Sequence, residues 1–167
     1  MMPQNRFSPR MKMLLLLIGF PTAVAAVAFA YWTISPLFLN VRVSEALTEQ
    51  EHTVLREGTF VGADSFHTAE GTAKLIRIRQ NTLLVRFEED FRVRNGPDLH
   101  VWLTRDGNVK NGYIELQNDD GNDRLKGNQG SQSYRIPEGT DLSEYTTVII
   151  WCQAFSVLFA TARLASL

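Results

Sequence analysis

Between Lys12 and Arg42 the chain carries no charged residue. Its greasiest part reads MLLLLIGFPTAVAAVAFAYWTI, from Met13 to Ile34, and the uncharged run continues through SPLFLNV to Val41. About 20 apolar residues cross the hydrocarbon core of a bilayer as a helix, so this run spans one with room for tilt. Pro21 does not exclude a helix, because membrane helices tolerate proline better than soluble ones. Tyr31 and Trp32 lie toward one end, as interfacial aromatics do. Arg6, Arg10 and Lys12 precede the run without a single acidic residue. That basic flank places the N-terminus in the cytoplasm and sends the rest across the membrane. Two fates fit the segment. Ala28-Phe29-Ala30 has the small-x-small pattern of a signal cleavage site. The run is also longer than a signal core and continues past that site, which favours an uncleaved anchor. In both cases the C-terminal part is extracytoplasmic, in a periplasm or at a cell surface.

The chain then divides into a basic tail (1–12), an anchor (13–41), a polar linker (42–57) and one exported domain (58–167). Apolar residues make up 44% of the whole, enough for a packed core. Net charge is −1, but from Arg42 onward 14 basic residues face 18 acidic ones. An acidic body is a poor partner for nucleic acid. The linker is rich in helix formers and predicts a short helix over SEALTEQEHTVL. Past Gly58 the rhythm becomes strand and turn. AKLIRIRQ, LLVRFEE, LHVWLT, YIEL, SYRI, TTVIIWC and FATARL alternate or run apolar, separated by clusters of Gly, Asn, Asp and Pro. Nine or ten short strands without a long helix predict an all-β fold, an antiparallel β-sandwich or closed barrel.

Cys152 is the only cysteine. An exported domain without a second cysteine has no disulfide of its own, so its core must hold it together. Alternation in TVIIWC puts Cys152 in phase with Val148 and Ile150, and Trp151 on the opposite face with Ile149. Free cysteine is among the most buried residue types, so a packed core thiol competes with a redox thiol. A redox thiol would need a partner protein, a metal or a cofactor, since one sulfur cannot cycle alone. A blue-copper site needs two histidines and usually a methionine beside the cysteine, and neither type follows Cys152. Covalent haem and cysteine-rich zinc motifs are absent too. Of the three histidines, His67 lies between a turn and a strand, where it is a loop residue or a ligand near a cofactor. His100 alternates with Leu99 and Val101, which predicts a surface position beside Trp102. The NDDGND stretch (Asn118–Asp123) lacks the spacing of a calcium loop and reads as a solvated turn. Asn95-Gly96-Pro97-Asp98 reads as a structural corner. No hydrolase, phosphate-loop or dinucleotide motif occurs, so no enzyme activity is indicated.

The segments GTFVGADSFHTAEGTAKL, NGPDLHVWL and LKGNQGSQSYRIPEGTDLSEYTTVIIWCQAFSVLFATARL, in that order, resemble the DM-thirteen domain, a family catalogued as electron transfer DM-thirteen. The resemblance runs from about Gly58 to Leu167, and an anchor followed by SPLF is similar to that of its single-pass bacterial members. It implies an all-β extracytoplasmic module, DOMON-like in architecture, with Cys152 as the redox-active thiol. His67 and Trp151 are implied as cofactor-side neighbours, while Asp98 and Tyr134 match motif positions that can be structural. Two residues depart from the pattern: His100 stands where an aromatic or aliphatic side chain is usual, and Ala160 where Gly is common. The resemblance names no cofactor. The expected partners are the membrane, through the N-terminal helix, and a redox protein or small ligand. The alternative is a ligand-binding or adhesion sandwich in which Cys152 only packs and the NGPDLHVW face meets the partner.

Overall fold

A computed structural model of the chain describes residues 8–35, 39–47, 52–78 and 82–167. It contains two compact units, 1–38 and Leu39–Leu167. The first holds helix α1, Pro9–Ile34. Ser8 caps it, its hydroxyl accepting from the Met11 N–H at 3.3 Å, and Pro9 occupies the first turn, where a missing N–H costs nothing. Pro21 lies inside it, and the Thr22 hydroxyl next door donates to the Ile18 carbonyl at 2.7 Å, hiding its polarity within the helix. Leu17, Ile18, Phe20, Val27 and Phe29 are all exposed and lie on opposite sides of the helix, so it is greasy around its girth. Within Pro9–Tyr31 an 18-residue window reaches a mean hydropathy of 2.3, and the helix is long and apolar enough to cross a membrane.

The second unit is all β. Its strands are β1 (Arg42–Ser44), β2 (Thr53–Gly62), β3 (Ala69–Glu70), β4 (Thr72–Arg77), β5 (Leu83–Phe87), β6 (Arg92–Val93), β7 (Leu99–Thr104), β8 (Tyr113–Glu115), β9 (Gln129–Arg135), β10 (Thr147–Cys152), β11 (Val157–Arg163) and β12 (Ala165–Ser166). The path of the sheet is β3-β6-β9-β5-β4-β2-β11-β10-β7-β8, with β12 beside β2 and β1 beside β9. All pairings are antiparallel except β1 with β9. β2 is the hinge of this path. Its first part pairs with β4 and its last three residues with β11. The two halves thereby face each other, and one core fills the space between them. Phe60, Leu75, Val85, Phe87 and Tyr134 come from one half, and Val101, Leu103, Val148, Ile150 and Ala162 from the other. A bridge between Gln117 and Arg135 ties the halves together again beyond β8.

Two expectations change. The helix foreseen over 44–55 does not form at either end, because Ser44 closes β1 and Thr53–Leu55 opens β2; residues 48–51 lie outside the described part. Long-range pairing outweighs local helix propensity here. β1 is held by Glu45, whose N–H donates to the Ser131 carbonyl and whose carboxylate accepts from the Ser133 N–H at 2.7 Å and from Lys126 at 2.6 Å. Second, His100 is not at the surface. Every residue of β7 is buried, because the chain after β8 returns along the edge of the strand, Arg124 bridging to His100, and the side chains of Asp98, Asp123, Tyr113 and Trp151 pack on its outer face. Along that edge the Val101 N–H donates to the Asp123 carbonyl and the Leu125 N–H to the Leu99 carbonyl, both at 2.8 Å.

Candidate functional site

Cys152 ends β10 and belongs to the core, with no exposed surface. It sits opposite Leu99 on β7 and Val157 on β11. The predicted phase is met: Val148, Ile150 and Cys152 face the core, while Trp151 lies half-buried on the outer face. Sheet geometry therefore separates Cys152 from its chain neighbour Trp151. Beyond Cys152 a tight hairpin, 153–156, leads into β11, with Phe155 exposed and Ser156 at φ 53.

His67 lies at the same end, in the turn after β2. Its side chain is held by Asp64: the ring Nδ1 is 2.7 Å from Oδ2, while Oδ1 accepts from the backbone N–H groups of Phe66 and His67 at 2.7 and 2.8 Å. The His67 side chain, then the two backbone donors, hold the Asp64 carboxyl below its usual range. The other side of the ring packs on Phe159, 4.4 Å between centroids. Phe159 is where β11 slips register against β10, Ile150 facing Ala160 while Trp151 faces Leu158. That bulge buries Phe159 and Ala160 in succession and turns the phenyl ring toward His67. Gly96 is needed for the same contact. A Cβ there would stand 2.8 Å from the Phe159 ring and 2.7 Å from Leu99, so glycine here provides space. Among the described residues no hydrogen bond or ring contact joins His67 to Cys152 or to Trp151.

The arrangement that sequence reading missed lies on the outer face of β7. His100 is inserted between two carboxylates, its Nε2 3.1 Å from Asp98 Oδ1 and its Nδ1 2.9 Å from Asp123 Oδ1. The second approach has ion-pair distance without hydrogen-bond alignment, which leaves Nδ1 without a hydrogen-bond partner among the described residues. The other oxygen of Asp123 accepts from the indole N–H of Trp102. Arg124 Nη2 closes the outer end on Asp98 at 3.3 Å. Trp102 lies between two further rings: Tyr113 at 4.1 Å and 15°, and Trp151 at 5.8 Å and 25°. Tyr113 is exposed and, with Glu115, Gln117 and Asp123, lines a shallow cleft of about 620 Å³. Asp123 ends the Asn118–Asp123 stretch, whose composition reads as a solvated turn, so its sequence pointed away from a buried partner. Only the fold brings it onto β7.

The chemistry open to these groups is bounded. The carboxylates bind opposite nitrogens of one imidazole, and among the described residues no group of three or more His, Cys, Asp or Glu side chains could hold a metal ion. The cluster offers a row of stacked, electron-rich rings with a carboxylate on the central indole N–H, and the core offers one thiol. No curated protein and no solved structure matches the chain. Residues 59–164, covering the strands that build both Cys152 and the His100 cluster, match the family described as electron transfer DM13. On that match, across well over half of its length, the chain belongs to the electron transfer DM13 family.

Proposed function

We propose that the protein is a membrane-anchored, extracytoplasmic redox module in which Cys152 exchanges electrons with a partner protein. The observation that carries this reading is the family match over 59–164. The greasy helix behind a basic tail supports the anchor and its direction. In the proposed step the Cys152 sulfur attacks one sulfur of a partner's disulfide, forming a mixed disulfide, and the displaced sulfur leaves as a thiolate. The Cys152 proton passes to solvent; a thiol of a second, dithiol partner then attacks the first partner's sulfur in the mixed disulfide, and Cys152 leaves as a thiolate. The second partner's other thiol closes its own disulfide and frees the first partner's thiol, so that two electrons pass from the second partner to the first. A buried sulfur cannot make that attack in the closed body. The step therefore runs through local opening of the 153–156 hairpin, a short exposed segment of the kind that opens at low cost.

The burial of Cys152 also favours a second reading, a binding or adhesion module whose thiol only packs and whose contact face is the cleft beside Tyr113. One experiment separates them. Full-length protein in detergent is incubated with a disulfide reagent under native conditions, and mixed-disulfide formation is followed by intact mass. A rate that follows local opening, faster than global unfolding and lost in Cys152→Ala, supports the redox module. Reaction at the rate of global unfolding alone leaves the binding module.

A further inference from the structure

The sheet is left open beside β8, the last strand of its path. In an antiparallel strand every second residue turns its backbone N–H and C=O to the same neighbour. The Leu116 N–H donates to the Val101 carbonyl, so Leu116 and Ile114 face β7, and Tyr113, Glu115 and Gln117 turn their backbone groups the other way. Gln117 finds a partner there. Its N–H donates to the Arg135 carbonyl at 2.9 Å, and its carbonyl accepts from the Arg135 N–H at 2.7 Å. Continued in that register, Glu115 would face Pro137 and Tyr113 would face Gly139. Pro137 has no N–H to give. Its carbonyl is taken by a turn, accepting from the Thr140 N–H at 3.3 Å and the Thr140 hydroxyl at 2.7 Å. The pairing with β8 therefore stops at Pro137. Among the described residues the outward backbone groups of Tyr113 and Glu115 have no partner, and such an edge is a template for another strand.

The cleft of about 620 Å³ lies along this edge, lined by Tyr113, Ile114 and Glu115 together with Pro137 and Asn122. Its two sides differ. Ile114 packs against the core, whereas Tyr113 and Glu115 share the outer face with Trp102. One face of the Tyr113 ring lies on Trp102, and the other is open. The charged residues lining the cleft are Glu115 and Asp123. His100 and Trp102 engage the two oxygens of Asp123, but Glu115 has no ion pair among the described residues. The surrounding cations are placed elsewhere. Arg124 pairs with Asp98, Arg105 with Glu144, and Lys126 with Glu45 and Asp119. Arg135 lines a separate hollow with Glu138, and Lys110, in the turn before β8, does not line the cleft.

We infer that the open edge of β8 takes up an extended segment of a partner protein, added as one more strand. That segment alternates basic residues, over Tyr113 and Glu115, with apolar ones beside Ile114 and Pro137. Main-chain bonds to the edge hold it, and a basic side chain gains both the open tyrosine face and the free carboxylate. A second copy of the chain is the poorer occupant, because its own β8 reads Tyr-Ile-Glu and brings no cation. The inference rests on the Tyr113 cleft being a contact face, and not on the chemistry of Cys152.

The test titrates full-length protein in detergent with the peptide acetyl-Thr-Val-Arg-Val-Arg-Val-Thr-amide, and with a counterpart carrying Glu for both Arg. Binding is followed by tryptophan emission, since Trp102 stacks on Tyr113, and amide hydrogen exchange over 113–115 is read by mass spectrometry. The expected result is saturation with a Kd on the order of 1 mM or below, with slowed exchange over 113–115. Reversing both peptide charges should weaken binding about tenfold. Tyr113→Ala and Glu115→Gln should each weaken it about two- to fivefold, the second without loss of side-chain volume. Cys152→Ala should bind as the parent does, so failure of the redox reading leaves this one standing. Absence of saturation overturns the inference, as does binding that neither variant nor the charge-reversed peptide changes. Weakening by both variants without slowed exchange overturns strand addition and leaves a surface cation site. Exchange over 113–115 that slows with protein concentration alone overturns it in favour of a second copy.

Discussion

Removing the sulfur of Cys152 measures how tightly the core closes around it. The residue has no exposed surface and lies among Leu99, Val157 and the rest of the core cluster. Cys152→Ala should cost about 1 kcal/mol, the scale of one buried methyl-sized group. Cys152→Ser should cost more, about 1–3 kcal/mol, because a hydroxyl is buried in its place. Urea unfolding of both variants checks the order; equal stability of Ser and Ala variants would point to a polar partner for the sulfur. Tyr134 is a second residue whose burial has a consequence. Its hydroxyl accepts from the Lys126 N–H at 2.9 Å and donates to Gln132 Oε1 at 2.8 Å, and burial pushes its ionisation far above the ordinary value of 10.0. A folded-state pKa above the unfolded one contributes stability that is fully present below pH 10.0 and is lost as pH rises beyond it. Alkaline titration of unfolding should therefore show a downward slope starting near the unfolded tyrosine value. In Tyr134→Phe that part of the slope should vanish, while stability at neutral pH falls by about 1–3 kcal/mol for the unpaired donor left behind.

At the scale of elements, the most informative strand is β7. Its inner residues, Leu99, Val101 and Leu103, were legible from alternation, since a half-buried strand repeats every two residues. The burial of its outer face was not legible. Alternation says which residues share a face and nothing about what later segment covers that face. Here the 116–125 turn returns along the edge of the strand, and the Asp123 side chain reaches from it onto that face, to His100 and Trp102. Asp123→Ala should cost about 2 kcal/mol by leaving the indole N–H unpaired. It should also free Trp102, seen as a red shift and loss of intensity in tryptophan emission. A variant with unchanged stability and emission would mean that the turn is held by its backbone alone. The same limit explains the 42–57 segment. Its composition favours a helix locally, yet β1 and β2 exist because distant strands, β9 and β4, offer partners.

For the whole molecule, the prediction concerns the two units separately. A chain carrying Pro9–Tyr31 should sediment with membranes and stay there in alkaline carbonate, whereas one starting at Leu39 should remain in the supernatant. Accumulation of a species shortened after Ala30 in the soluble fraction would instead identify the segment as a cleaved signal. The amino-acid order by itself determined the two-part plan: an apolar helix of membrane length, then a body of alternating strands in which Cys152 shares a face with Val148 and Ile150, a face that only the tertiary structure turned inward. It could do so because length, charge and two-residue periodicity are local properties. Only the tertiary structure decided which surfaces stay open. Pairing of the 116–125 turn along the edge of β7 enclosed His100 between Asp98 and Asp123, and the bulge at Phe159 drew His67 into a ring contact. Those outcomes depend on contacts between residues tens of positions apart, which no local pattern encodes.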